Sequence, residues 1–154
     1  MSVELEDIFN WVILGDDLAT AGQPGADELA AVARAGYQTV INLALPTSDN
    51  ALADERAVVE GLGLEYVAIP VQFVAPTLDD LQCFLDAMDR RVGRRLFVHC
   101  AANMRVSVFV ALWRVLRLGW EPARAMADVH RIWRPDCTWS AFLRDALARG
   151  RDRQ

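Results

Sequence analysis

Residues 96–107, Leu96-Phe97-Val98-His99-Cys100-Ala101-Ala102-Asn103-Met104-Arg105-Val106-Ser107, hold the chemistry of this chain. Leu96 to Val98 read as a buried strand, the apolar run from Ser107 as a helix, and the residues between as a short turn. A cysteine at that point faces the first backbone N–H groups of a helix, and their partial positive charge suits an anion. The same field favours thiolate over thiol and makes the sulfur a nucleophile. Asn103 fits the turn, because asparagine tolerates left-handed backbone better than other non-glycine residues. Arg105 lies within reach of a bound anion if the turn is shaped for it, and is otherwise a solvated helix arginine.

The elements that must position these residues alternate between strand and helix. Trp11–Leu14, Leu18–Ala21, Thr39–Leu43, Glu65–Ile69 and Arg94–Val98 read as strands, punctuated by glycine and proline. Helices are expected over 27–34, from a Ser48 or Asp49 cap to about Glu60, from a Thr77/Asp80 capping box, over 107–118, from Pro122, and from a Thr138 cap. In the third of these helices Leu78, Leu81, Leu85, Met88 and Val92 fall on one face, leaving Cys83 off the stripe as a structural thiol. The 107–118 helix is apolar nearly all round, as a central buried helix is. The pattern predicts one α/β domain over 1–154, a mostly parallel central sheet with helices on both faces, and a frayed tail over 150–154. In such sheets ligands bind beyond the carboxyl ends of the strands, where Cys100 falls.

Composition narrows the function. Apolar residues make up 53% of the 154, which argues against disorder. Three widely spaced cysteines suggest neither a disulfide framework nor a metal site, so no metal or cofactor is expected and a reducing, cytoplasmic setting is the default. No basic leader and no span-length apolar stretch is present, so no membrane partner is expected. Net charge is −5, but residues 1–89 carry 16 acids and 2 arginines while 90–154 carry 14 arginines and 5 acids. The basic half holds Cys100 and would draw in an anionic substrate. The acidic total and the lack of an aromatic–basic stripe argue against nucleic acid.

The chain resembles the bacterial phosphatase-like proteins related to dual-specificity and tyrosine phosphatases. Their signature is H-C-x-x-G-x-x-R-S/T; His99, Cys100 and Ser107 match, Asn103 takes the glycine position, and Val106 stands where the arginine belongs, with Arg105 one residue early. Within a helix that shift turns a side chain by about 100°. Ala21-Gly22-Gln23-Pro24 resembles the family's "SGQP" turn, Ala35 to Leu43 its "aGfktVInL" strand, Ile69-Pro70-Val71 its "IPV" strand end, and Val129 to Leu143, with Arg134-Pro135 and Phe142, its "RP…F" tail.

The resemblance implies two-step phosphate transfer. Cys100 is the implied nucleophile, Arg105 the substitute anion grip and Ser107 the hydroxyl that holds the thiolate. His99, Ala101, Ala102, Asn103, Met104 and Val106 frame the phosphate, and Gln72 occupies the place of the general acid. The loop Pro70–Pro76 carries no carboxylate, which leaves Asp79 as the nearest acid in sequence. Trp133-Arg134-Pro135-Asp136 echoes the tyrosine-phosphatase acid loop, but follows the cysteine where that loop precedes it, and is read as chance. The implied partner is a phosphorylated small molecule or a phosphoprotein. Two other classes stay open. One is a rhodanese-like sulfurtransferase, whose shorter cysteine loop suits the Cys100–Arg105 spacing. The other is a pseudophosphatase that binds an anionic partner without turnover.

Overall fold

The computed structural model describes residues 3–152, with side chains described through residue 150. Among the described residues five strands form one sheet: β1 (Val12–Gly15), β2 (Leu18–Ala21), β3 (Thr39–Asn42), β4 (Glu65–Ala68) and β5 (Leu96–His99), in the spatial order β1-β2-β5-β3-β4. Neighbours among β2, β5, β3 and β4 run parallel, and β1 pairs antiparallel with β2. This is the mostly parallel α/β architecture that the alternating pattern predicts. The last strand in the chain is the middle strand of the sheet. Ala21, His99 and Asn42 stand in register at its carboxyl edge, so Cys100 emerges there with a parallel neighbour on either side.

Side chains alternate across β5 and divide the chemistry between two layers. Leu96, Val98 and Cys100 face the larger core, built by α3 (Leu78–Asp89), α4 (Met104–Leu118), α5 (Pro122–Val129) and α6 (Cys137–Asp152). Phe97 faces the smaller core under α1 (Ala26–Arg34) and α2 (Glu55–Gly61), and His99 stacks on it with ring centroids 5.6 Å apart.

Several boundaries agree with the local signals. Thr77 Oγ1 accepts from Asp80 N at 3.0 Å and Asp80 Oδ2 accepts from Thr77 N at 3.2 Å, a reciprocal cap on α3. Gly119, at φ 74°, ends α4 in the left-handed conformation that glycine adopts without strain. Others differ. The segment from Pro46 to Ala53 stays irregular, and α2 begins only at Glu55, after Asp54 in left-handed backbone. Val92 lies beyond the end of α3 and is 82% exposed, and Cys83 is exposed where a structural thiol was expected. The cap of α6 is Asp136 and not Thr138: its Oδ1 accepts from Trp139 N at 2.9 Å. α6 runs on to Asp152, past Arg149 where fraying was expected, and residues 153 and 154 lie outside the described residues. Among the described residues no helix is long and apolar enough to cross a membrane.

The edge strand β4 is tied to the loop after α3 by an ion pair. Arg91 donates from Nε and Nη2 to Glu65 at 2.9 and 2.8 Å, and the Thr39 hydroxyl adds a bond at 3.0 Å. The Arg91 bonds, against modest burial, hold the Glu65 carboxyl down to about 2. A carboxyl depressed in the folded state contributes its full stability above the ordinary value of 4.5 and loses it as pH falls toward 2. The Glu65 side chain is 38% exposed, so solvent screening discounts the pair to about 1 kcal/mol. Glu65→Gln should therefore melt below the parent at pH 7, and the two melting curves should converge as the buffer approaches pH 2.

Candidate active site

The loop from Cys100 to α4 contains only Ala101, Ala102 and Asn103. Asn103, at φ 66°, turns the chain so that α4 starts at Met104, three residues before the helix start read at Ser107. Its side-chain amide donates to Asn10 O at 2.9 Å and to Thr20 Oγ1 at 3.0 Å, which fixes the turn against the N-terminal segment and β2.

Protein donors take up the loop carbonyls. Ala101 O accepts from Gln23 N and from Asn50 Nδ2, both at 3.1 Å, and Ala102 O accepts from Asn10 Nδ2 at 3.0 Å. A trans peptide points the next N–H away from the carbonyl that precedes it. With the carbonyls held outward, the amides turn the other way. Among the described residues the N–H groups of Ala101, Ala102, Met104, Arg105 and Val106 meet no protein acceptor. The last three are the free donors that every helix start leaves.

Close approach of two backbones makes the outward bracing possible. A Cβ on Gly22 would stand 2.7 Å from Phe9 Cδ2 and 2.8 Å from Ala101 O. Gly22→Ala should cost about 1–3 kcal/mol through overpacking against backbone that cannot give way. Urea denaturation should read this as a lower midpoint with an unchanged slope.

Cys100 is 0% exposed and sits at the edge of the larger core. Arg105, in the first turn of α4, is 5% exposed. Its Nη1 donates to Val71 O at 2.8 Å, and its guanidinium carbon lies 6.0 Å from the centre of the Phe73 ring. No carboxylate among the described residues pairs with it. Arg105 is thus neither a solvated helix arginine nor one partner of an ion pair. Val106 is buried and apolar, and offers the site only its backbone.

Ser107 is placed differently from its implied role. Its hydroxyl donates to Met104 O at 2.7 Å and accepts from Trp133 Nε1 at 3.0 Å, with no hydrogen bond to Cys100. The segment read as a chance echo therefore packs beside the start of α4 through Trp133. Phe73, in the loop after β4, lies between Trp133 and Trp139 at 5.7 and 5.9 Å. Its carbonyl accepts from Trp139 Nε1 at 2.8 Å, which anchors this loop. Gln72 in the same loop is exposed. Asp79 is not brought to the loop. It lines a cleft with Leu116, Arg117 and Arg149. Leu116 stands roughly 16 Å along α4 from Arg105, given a rise of 1.5 Å per residue.

On the other face, His99 is 0% exposed and its Nε2 lies 2.7 Å from Glu55 Oε2. Glu55 also accepts from Gln23 Nε2 at 2.6 Å, and the Tyr66 hydroxyl, held by Asn42 Nδ2, faces it. Burial pushes the Glu55 carboxyl up, but the bonds from His99, Gln23 and Tyr66 outweigh it and hold the group below its ordinary value. Sequence reasoning missed Glu55, Asn10, Asn50 and Trp133. A glutamate opening a helix reads as a solvated residue favoured by the dipole, and its partner His99 lies 44 positions away.

The comparisons with known proteins agree with this fold. The chain is 32% identical over 128 residues to the beta-lactamase hydrolase-like protein of Xylella fastidiosa, matching 77% of this chain and 28% of that one. It therefore spans only 28% of the length of these curated relatives. A candidate phosphatase (DUF442) of Shewanella putrefaciens CN-32 superimposes with a TM-score of 0.84 at 30% identity, over 94% of this chain and 95% of that one. A cysteine-to-serine form of TpbA from P. aeruginosa, solved in complex with pTyr, superimposes with a TM-score of 0.66 at 18% identity, over 96% and 85%. That last likeness is one of fold. The family model described as "DSP-PTPase phosphatase fused to NAD+ Kinase" matches residues 16–135, most of the sheet together with the cysteine loop and α4, and the chain belongs to that family.

Proposed function

We propose that this chain hydrolyses phosphate monoesters through a phosphocysteine. Cys100 Sγ attacks phosphorus, the phosphorus–oxygen bond to the leaving group breaks, and that oxygen takes a proton. Water then attacks the phosphocysteine, releasing phosphate and returning the thiolate. The unbonded amides of the loop and Arg105 hold the non-bridging oxygens through both steps. The observation that carries this reading is Arg105, a guanidinium 5% exposed with no carboxylate partner among the described residues. An unpaired buried charge costs several kcal/mol, and an oxyanion beside it removes that cost.

With Gln72 in the acid's place and Asp79 directed elsewhere, solvent supplies the leaving-group proton. Phosphates of good leaving groups are then the preferred substrates, and aryl esters, phosphotyrosine among them, fit best. The pTyr bound to the P. aeruginosa neighbour supports that class. The partner is a phosphorylated small molecule or a phosphoprotein met in a reducing, cytoplasmic setting.

A second reading has one observation in its favour. Four residues separate Cys100 from Arg105, and three precede α4, a short loop that suits sulfur transfer. There Cys100 would take the outer sulfur of thiosulfate as a persulfide, release sulfite and pass the sulfur to cyanide. Two assays on the purified chain separate the readings. Release of p-nitrophenol from p-nitrophenyl phosphate, with no thiocyanate from thiosulfate and cyanide, is the expected result. Thiocyanate without p-nitrophenol overturns it in favour of sulfur transfer. Phosphate binding with neither product overturns it in favour of a non-catalytic anion binder.

A further inference from the structure

We infer that Glu55 is a positioning residue of the cysteine loop, acting by holding His99 as a doubly protonated ring that donates at both nitrogens. Nε2 faces the Glu55 carboxylate at 2.7 Å, and Nδ1 faces the Cys100 carbonyl at 3.4 Å. Both opposing atoms are acceptors. A neutral imidazole has one N–H and one lone pair, so it would set a lone pair against an oxygen on one side or the other. Two ring protons satisfy both contacts, and the resulting positive charge, fully buried, needs the negative partner that Glu55 supplies.

Glu55 reaches the loop by a second path. Its other oxygen accepts from Gln23 Nε2, and Gln23 N donates to Ala101 O. One carboxylate thus braces two consecutive loop carbonyls, Cys100 O through His99 and Ala101 O through Gln23. These are the carbonyls whose outward direction turns the next two amides away from the protein. The groups that face the pair are Gln23 from the turn after β2, Asn42 from β3, Tyr66 from β4 and Cys100 itself, with Arg56 of α2 lying over the Tyr66 ring at 5.0 Å. None of the neutral ones replaces the Glu55 charge.

The role rests on the phosphatase reading only for its consequence in catalysis, so the primary readout leaves turnover out. The chain holds two histidines, His99 and the exposed His130. His130→Gln leaves one ring, and nitrogen-15 NMR of that protein at pH 7 should show both His99 nitrogens protonated. Adding Glu55→Gln keeps the size and the hydrogen-bonding oxygen but removes the charge, and one ring nitrogen should lose its proton. Gln23→Ala, which cuts only the second path, should leave the ring doubly protonated. A neutral His99 ring in the parent, or an unchanged ring in Glu55→Gln, overturns the inference. On p-nitrophenyl phosphate, Glu55→Gln should lower kcat about 10-fold with KM nearly unchanged, and a loss confined to KM overturns the positioning role. A protein inactive with every phosphate ester but showing the charged ring keeps this inference and loses the proposed reaction.

Discussion

Cys100→Ser should bind phosphate as the parent does and lose turnover of p-nitrophenyl phosphate by at least about 10³-fold in kcat. The substitution exchanges a sulfur for an oxygen at a position that is 0% exposed, so packing changes little. The chemistry changes entirely. A serine hydroxyl needs a general base, and the one histidine near it has its Nε2 committed to Glu55 at 2.7 Å. The amides of the loop and the Arg105 guanidinium are untouched, so the proposed anion site should survive the change. Calorimetric titration with phosphate, alongside initial rates for both proteins, checks the two halves separately. Retained turnover removes the phosphocysteine from the mechanism, and loss of both turnover and binding points to a collapsed loop.

Arg105→Lys is the second large effect, with kcat/KM expected to fall by about 10²–10³. Lysine keeps the charge and one donor for Val71 O, so the contact with the loop after β4 has a replacement. It cannot grip two oxygens at once, because an ammonium is a point charge and a guanidinium a planar fork. Arg105→Ala would leave the Val71 carbonyl without a partner as well and mix a folding effect into the kinetics. Thermal melts of the lysine variant within about 2 °C of the parent would separate the two causes, since a shift of that size corresponds to about 0.5–1 kcal/mol, far below the loss expected in kcat/KM. A kcat/KM within a few-fold of the parent's means that Arg105 serves only to pin Val71 and Phe73.

The fold was legible because its signals are local. Five apolar strand runs, the Thr77/Asp80 cap and Gly119 as a stop each act over a few residues, and each stands within two residues of where it was read. The errors are also local in origin. Ser48 and Asp49 can cap a helix, but Asn50 between them and α2 is spent on the Ala101 carbonyl, and the helix waits until Glu55. The regular stripe through Val92 ran past the true end of α3, because periodicity alone does not mark where burial stops. Ser107 was matched by its place in a motif, while its hydroxyl answers to Met104 and Trp133.

From the chain alone follow the layered architecture, the strand–cysteine–turn–helix unit and the left-handed asparagine within it, since each depends on backbone preference and spacing over a handful of residues. What surrounds the sulfur was decided only by folding. The sheet order sets β5 between β2 and β3 and so brings Gln23, Asn42 and Glu55 to one edge of the site. Asn10 lies 93 positions from Asn103, Glu55 44 from His99, and Val71 34 from Arg105. No local preference encodes such pairings. They form because a buried carboxylate, imidazole or guanidinium must find a partner, and the partner available is whichever residue the closed sheet carries alongside.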